Sequence, residues 1–382
     1  MKAAVKTIAG QPSWVIGNQT LELAVTQLGG HMAPVTFYRG SKKPVQPYYI
    51  SPWQTEGLKI DEPVLVPLRG DFFCMPFGVG CEYRGEKYVV HGPPATRKWR
   101  GGRLEERGRV TTLTLTMRTP QRPGKVIKRL SLVKGHNVVY DQNVVEGFAG
   151  PTTLAHHAIL AMPEEQESVL VSTSPYRFGM TNPTPTSNPP AGEYQAVAVG
   201  KRFKSLQAVP SIFAEPKTTD CTRFPTRKGF TDLAAVVHTK DVCPAWTTAV
   251  FTTEGFLWFA LKDPAVLPLT VLWMSNHGRH MSPWNGRNAC LGLEDVCGLL
   301  AEGLVPSLRA NPLKKAGVPT TIRLSARKPT AVNYIQGVVK VPRGFGKVKD
   351  VQFAPGKATF ISAARKKVAA RVRHEFLITG TL

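Results

Sequence analysis

Hydrophobic and polar positions alternate with a period of two along much of this chain. In the run Val110 to Met117, Leu113, Leu115 and Met117 share one face and threonines occupy the other. That is the signature of a half-buried strand. Similar runs predict strands over 126–133, 137–145, 169–172, 233–238, 256–261, 269–274 and 320–324. Gly, Pro, Asn or Asp usually separates them, as turns between strands require. No stretch carries the 3.6-residue period of a long amphipathic helix. The segment 362–373, rich in Ala, Lys and Arg, is the best helix candidate, yet Val368, Ala370 and Val372 alternate within it and favour a strand. Thr181 to Gly192 (TNPTPTSNPPAG) reads as a long loop, because proline fixes φ and removes backbone donors. The pattern predicts an all-β chain of antiparallel sheets.

Composition agrees with many short strands. The chain has 382 residues, 42% of them hydrophobic, with 34 Gly and 32 Pro. A chain this long usually makes two domains, but all-β sandwiches often run long as one, so 1–382 is read as one domain. Residues 330–382 have a more basic texture and form a candidate C-terminal sheet extension. Six cysteines occur and none forms a CxxC pair, so buried free thiols are expected and a structural zinc site is not.

The formal net charge is +23 and the sequence pI about 10.0. Such a balance attracts anions, whether nucleic acid, acidic lipid, acidic polysaccharide or a phosphorylated metabolite. The basic residues are densest over 97–134 and 340–373, interleaved there with Val, Leu and Thr as on solvated strand faces. That texture suggests a generally basic surface, and nucleic acid is the less favoured partner. No apolar run approaches the roughly 20 residues that a membrane-spanning helix needs. The N-terminal segment lacks a secretory h-region, which favours the cytoplasm unless a signal peptide has been removed.

Three places combine turn residues with useful chemistry. The first is Pro67-Leu-Arg69-Gly-Asp71-Phe-Phe-Cys-Met-Pro-Phe-Gly78, followed by His91-Gly92 and Trp99. Arg69, Asp71 and His91 offer donors and acceptors, and the aromatics offer flat faces. A sugar uses both, through its hydroxyls and its C–H face. The second is His156-His157 ahead of an apolar run. Neighbouring strand residues face opposite ways, so only one of these histidines can enter a given pocket. The third runs from Trp273 through Asn276, His277, His280 and Trp284 to Leu291-Gly-Leu-Glu294. A carboxylate in so apolar a strand is costly to bury, and burial would raise its pKa toward that of a general base. His277 and His280 are weak candidates as metal ligands. Phosphate-loop, nucleophile-elbow, HExxH and dinucleotide-binding fingerprints are all absent.

Taken in this order, the three places resemble the galactose mutarotase-like superfamily, that is, aldose 1-epimerases and hexose-6-phosphate mutarotases. The stretch from Pro67 to Gly78 resembles the family's IRGG…P-FG segment, and His91-Gly92…Trp99 its HG…W segment. His157 matches the acid histidine and Leu291-Gly-Leu-Glu294 the strand bearing the base. The glycine turn at Gly29-Gly30 resembles the family's opening. This chain departs at Asp71, where a second glycine is expected, and at His156, where an Asn is expected.

The resemblance implies a β-supersandwich that binds a hexose or an acidic or phosphorylated sugar and interconverts its anomers. Glu294 would be the base and His157 the acid. His91, Arg69, Asp71, His156, Trp99, Trp284, Asn276 and His277 would surround the sugar, and no cofactor or metal is required. Arg69, Arg97 and Arg103 would be contacts for an acidic substrate. The alternatives are a non-catalytic carbohydrate-binding or polysaccharide-processing module and, second, a basic nucleic-acid-binding protein.

Overall fold

A computed structural model describes residues 1–382. Each predicted strand is present, with ends moved by a few residues. Val110–Arg118 and Lys125–Val133 pair antiparallel, as do Phe230–His238 and Leu269–Asn276. The run predicted over 320–324 is reduced to Ile322–Leu324. The longest helices have five residues. Residues 367–371 are a strand, and the proline-rich segment is a loop holding one short 3-10 turn at Pro189–Ala191. All six cysteines are free; contrary to expectation, Cys243 is exposed and Cys81 only partly covered.

Two large antiparallel sheets face each other. The nine-stranded sheet runs in the order 223–224, 169–173, 245–251, 256–262, 330–340, 138–146, 125–133, 110–118, 100–107. The seven-stranded sheet runs in the order 202–203, 176–181, 230–238, 269–276, 289–297, 154–161, 73–74. Between them lies the principal core, which includes Leu113, Leu130, Leu160, Leu272, Leu291 and Trp258. A four-stranded N-terminal sheet, 4–37, packs on the same core. The other face of the seven-stranded sheet is covered by connecting segments that contribute Trp53, Leu68, Phe72 and Phe77. A three-stranded sheet, 348–371, packs through Val351, Phe360 and Ala370 on the outer face of the nine-stranded sheet.

The space between the large sheets also holds buried charge. Lys262 Nζ lies 2.6 Å from Asp295 Oδ1, and Thr270 Oγ1 and Tyr334 Oη donate to the same carboxylate at 2.6 and 2.7 Å. Lys128 Nζ donates to Asp141 Oδ2 at 2.7 Å. The Asn143 amide donates to Asp141 Oδ1 and to His156 Nε2, which leaves Nδ1–H of His156 to donate to Asp71 at 3.0 Å. Asp71, Asp141 and His156 bring ligand atoms within 4.8 Å of one another, but Lys128 already supplies the positive charge there. Burial alone would raise the Asp71 carboxyl, yet His156 and Lys128 hold it below its usual range.

Removing one member of a buried pair leaves the other as an uncompensated charge. Lys262→Met should therefore destabilise the fold by roughly 3–5 kcal/mol, measured as a fall in denaturation midpoint. An unchanged midpoint would show that Asp295 does not need its partner.

Candidate functional site

Strand register builds the site. Leu154–Ala161 pairs antiparallel with Ala289–Cys297 so that His157 stands opposite Glu294 and His156 opposite Asp295. Leu154, Ala158, Leu160, Leu291 and Leu293 point into the principal core. Ala155, Ile159, Cys290 and Val296 point to the other face. By the same alternation His157 and Glu294 share this outer face, whereas His156 and Asp295 are turned into the sandwich.

His157 Nε2 and Glu294 Oε1 are 3.3 Å apart. They lie at the floor of a cleft of about 390 Å³ lined also by His91, Trp273, Trp284, Leu68 and Leu233. Aromatic rings form one wall. Trp273 meets Trp284 edge-on at 5.8 Å between centroids, and Trp284 meets Trp53 at 4.8 Å. Gly292 makes room for the carboxylate. A Cβ there would come within 2.7 Å of Glu294 Oε1 and 3.0 Å of the Trp273 Cβ. The Leu-Gly-Leu-Glu sequence thus places its small residue where the Glu294 side chain folds back.

A stack of rings fixes the histidines. Phe72 lies between His157, at 4.6 Å, and His31, at 4.0 Å, nearly parallel to both. His91 stands edge-on to His157 at 4.9 Å. It follows a hairpin and adopts a left-handed backbone, φ 60°, just before Gly92. Gly92 itself has φ 73°, and a Cβ there would run into the Met75 carbonyl at 2.2 Å. The Gly78 N–H donates to His91 Nδ1 at 3.4 Å, which leaves Nε2–H as the free donor of that ring.

Electrostatics follow from the enclosure. Burial, helped by the neighbouring Asp295, pushes the Glu294 carboxyl up to about 8. Burial, with His91 and His31 nearby, pushes the His157 imidazole well below its ordinary value. Burial takes His91 down to about 4. Separated charges are costly here, so the pair rests as a neutral carboxylic acid beside a neutral imidazole. His157 Nδ1 is buried without a hydrogen-bond partner.

Of the other residues expected around a sugar, the structure brings only Trp284 to the cleft. Arg69 is fully buried, and its guanidinium donates to the carbonyls of Ile8, Ala9 and Pro67 and to Gln54 Oε1. It anchors the N-terminal hairpin. Asp71 and His156 belong to the inner polar network. Trp99 is buried, its indole donating to Pro94 O. Asn276 donates to Thr226 O, and His277 Nδ1 contacts Gly286 O at 2.7 Å. Arg97 and Arg103 are exposed away from the cleft. The guanidinium that does line it belongs to Arg279, paired with Glu193 at 3.2 Å. Trp273, Arg279 and Glu62 are the aromatic and charged lining residues that sequence reasoning did not place at the site. Strand alternation could have found Trp273, which shares a face with Leu269 and Val271.

The architecture is that of the galactose mutarotase-like proteins, and it is shared over most of the chain with several solved structures. YeaD of Salmonella typhimurium, provisionally assigned as a mutarotase, matches with a TM-score of 0.58 at 12% identity, over 89% of this chain and 94% of that one. An Escherichia coli K12 protein provisionally assigned as an aldose 1-epimerase matches with 0.56 at 10% identity, over 87% and 100%. A galactose mutarotase related enzyme from Lactobacillus acidophilus matches with 0.53 at 10% identity, over 86% and 98%. No protein-family profile matches the chain, and no curated protein matches it by sequence.

Gly292→Ala tests the packing of the site. The added methyl should displace the Glu294 carboxylate or the Trp273 ring, costing about 1–3 kcal/mol of stability. Thermal melts and a structure of the variant would check this; an unmoved Glu294 at wild-type stability would refute it.

Proposed function

We propose that the cleft binds a sugar and interconverts its anomers by proton transfer through Glu294 and His157. The observation that carries this reading is the cross-strand acid–base pair at the floor of an aromatic-walled cleft. The fold shared with mutarotase-type proteins supports it.

A carboxylic acid with a neutral imidazole holds as many protons as a carboxylate with an imidazolium. The pair can therefore supply one base and one acid once a polar substrate offsets the cost of charge separation. Glu294 takes the proton of the C1 hydroxyl while His157 gives one to the ring oxygen. The C1–O bond to the ring breaks and C1 becomes a carbonyl. Rotation about C1–C2 and the reverse proton transfers close the ring on the other face. Trp273 and Trp284 cover the C–H face of the sugar. His91 Nε2–H holds a sugar oxygen, and Arg279 holds an acidic or phosphorylated substituent where one is present. No cofactor takes part in this scheme. Sugar binding without turnover is the second reading, and the same assays separate the two.

Positioned acids and bases each contribute roughly a hundred- to ten-thousandfold. Glu294→Gln should lower the mutarotation rate by at least about a hundredfold while sugar binding persists. Polarimetry on α-glucose or α-galactose reads the rate, and an unchanged rate ends the assignment. His157→Ala should act on the rate in the same way, whereas His156→Ala should act mainly on stability.

The pH profile follows from the proton count. The working pair holds one mobile proton beyond the fully deprotonated state. Above the Glu294 value of about 8 that proton is lost and no acid remains, so kcat/KM should fall as pH rises through about 8. Toward acid the pair gains an extra proton only well below the ordinary histidine range. A rate that instead climbs through pH 8 would mean that Glu294 works alone as a base.

A further inference from the structure

The outer face of the nine-stranded sheet is only half covered. The C-terminal sheet packs over the part made by Tyr140, Phe259 and Ile335. Beside it, strands 100–107, 110–118 and 125–133 leave a trough of about 360 Å³. Its floor is hydroxyl- and amide-rich, with Thr112, Thr114, Ser131 and Gln142, and Arg107, Arg129 and Glu105 also line it. Phe376 and Gly380 form one wall.

Beside this trough the guanidinium groups of Arg109 and Arg371 approach each other, and Arg373 lies with them near His136, whose imidazole burial and then the charges of Arg373, Arg371 and Arg109 push down to about 4. Arg109 Nη2 donates to Lys134 O at 2.8 Å. A Cβ on the adjacent Gly135 would lie 3.5 Å from both Arg109 Nη2 and Arg371 Nη1. The Arg373 N–H donates to Tyr140 Oη, which contacts His136 Nδ1 at 2.9 Å. None of Arg109, Arg371 and Arg373 has a carboxylate partner. The nearby acids are otherwise placed, Glu105 pairing with Arg103 and Glu375 with His374. On the neighbouring sheet Lys357 stands directly opposite Arg371, a like-charge pair that destabilises a sheet unless an anion sits over it. From Lys340 to the end the chain carries ten Lys or Arg against Asp350 and Glu375.

We infer that this face is a second binding surface, distinct from the cleft, that holds an acidic polysaccharide. Unpaired guanidinium groups fit carboxylate or sulfate substituents. Thr114 and the Thr112–Ser131 hydroxyl pair offer donors and acceptors to sugar hydroxyls. A single-stranded nucleic acid would need exposed aromatic platforms for its bases, and the uncharged outward residues of the C-terminal sheet, Gln352, Thr359, Ile361 and Ala369, include no aromatic ring. The inference stands on this surface alone and does not depend on the chemistry proposed for the cleft.

Affinity electrophoresis of the full chain in gels containing polygalacturonate, with neutral galactan as control, tests it. Polygalacturonate should retard the protein and galactan should not. Replacing Arg109, Arg371 and Arg373 together by Gln should weaken retention by at least about tenfold, given the strength of hydrogen bonds to charged groups. Arg109→Gln alone, at an exposed turn, should weaken it in the same direction. Thr114→Val with Ser131→Ala should weaken polygalacturonate binding several-fold and leave binding of a duplex DNA probe unchanged. Any sugar mutarotation should be unaltered in all three variants, which separates this surface from the cleft. Three results would overturn the inference: no retardation at low salt, retardation indifferent to the arginines, or tighter binding of duplex DNA at equal charge concentration.

Discussion

The pairing of strand 154–161 with strand 289–297 is the constraint on which the site depends. Two adjacent polar residues on one strand oppose two on the other, and the pleat sends the pairs to opposite faces. His157 and Glu294 go to the cleft, and His156 and Asp295 go between the sheets. A slip of one residue in strand 289–297 would turn Asp295 to the cleft and carry Leu291 and Leu293 out of the core. The apolar residues on either side of the polar pairs make that slip expensive. The same leucines that stabilise the sandwich therefore fix the geometry of the acid–base pair.

The two faces treat charge in opposite ways. Inside the sandwich each carboxylate has a cation or several donors: Asp295 has Lys262, Thr270 and Tyr334, and Asp141 has Lys128 and Asn143. Each is held by several fixed partners at once. In the cleft Glu294 has only His157, and the surroundings are apolar rings. Its carboxyl moves toward the neutral form instead. The negative charge of Asp295, one residue away but on the far face, pushes it the same way. A structural network thus helps to tune a group that it never touches.

Much of the cleft was visible in the chain itself. The alternation marked the strands, and the cost of a carboxylate after Leu-Gly-Leu singled out Glu294. Strand alternation by itself requires that His156 and His157 face opposite ways, as they do. Arg69, Asp71 and Trp99 show where such reading stops. They sit beside glycines and aromatics in the manner of ligand contacts, but Arg69 caps backbone carbonyls 60 residues away and Asp71 meets His156 between the sheets. Local sequence carries no record of a partner so distant in the chain.

What the sequence by itself determined is the all-β architecture, the strand positions and the polar residues too costly to bury without a purpose. These follow from side-chain periodicity and transfer energies, which act over a few residues. Only the tertiary structure decided which polar residues meet. It brought Trp273 and Arg279 to the cleft, gave Arg69 to the N-terminal hairpin, and folded the basic C-terminal strands back beside Arg109. Those outcomes depend on sheet order and on how long connections cross the sheet face, and pairings between distant segments are set by the packing of the whole sandwich.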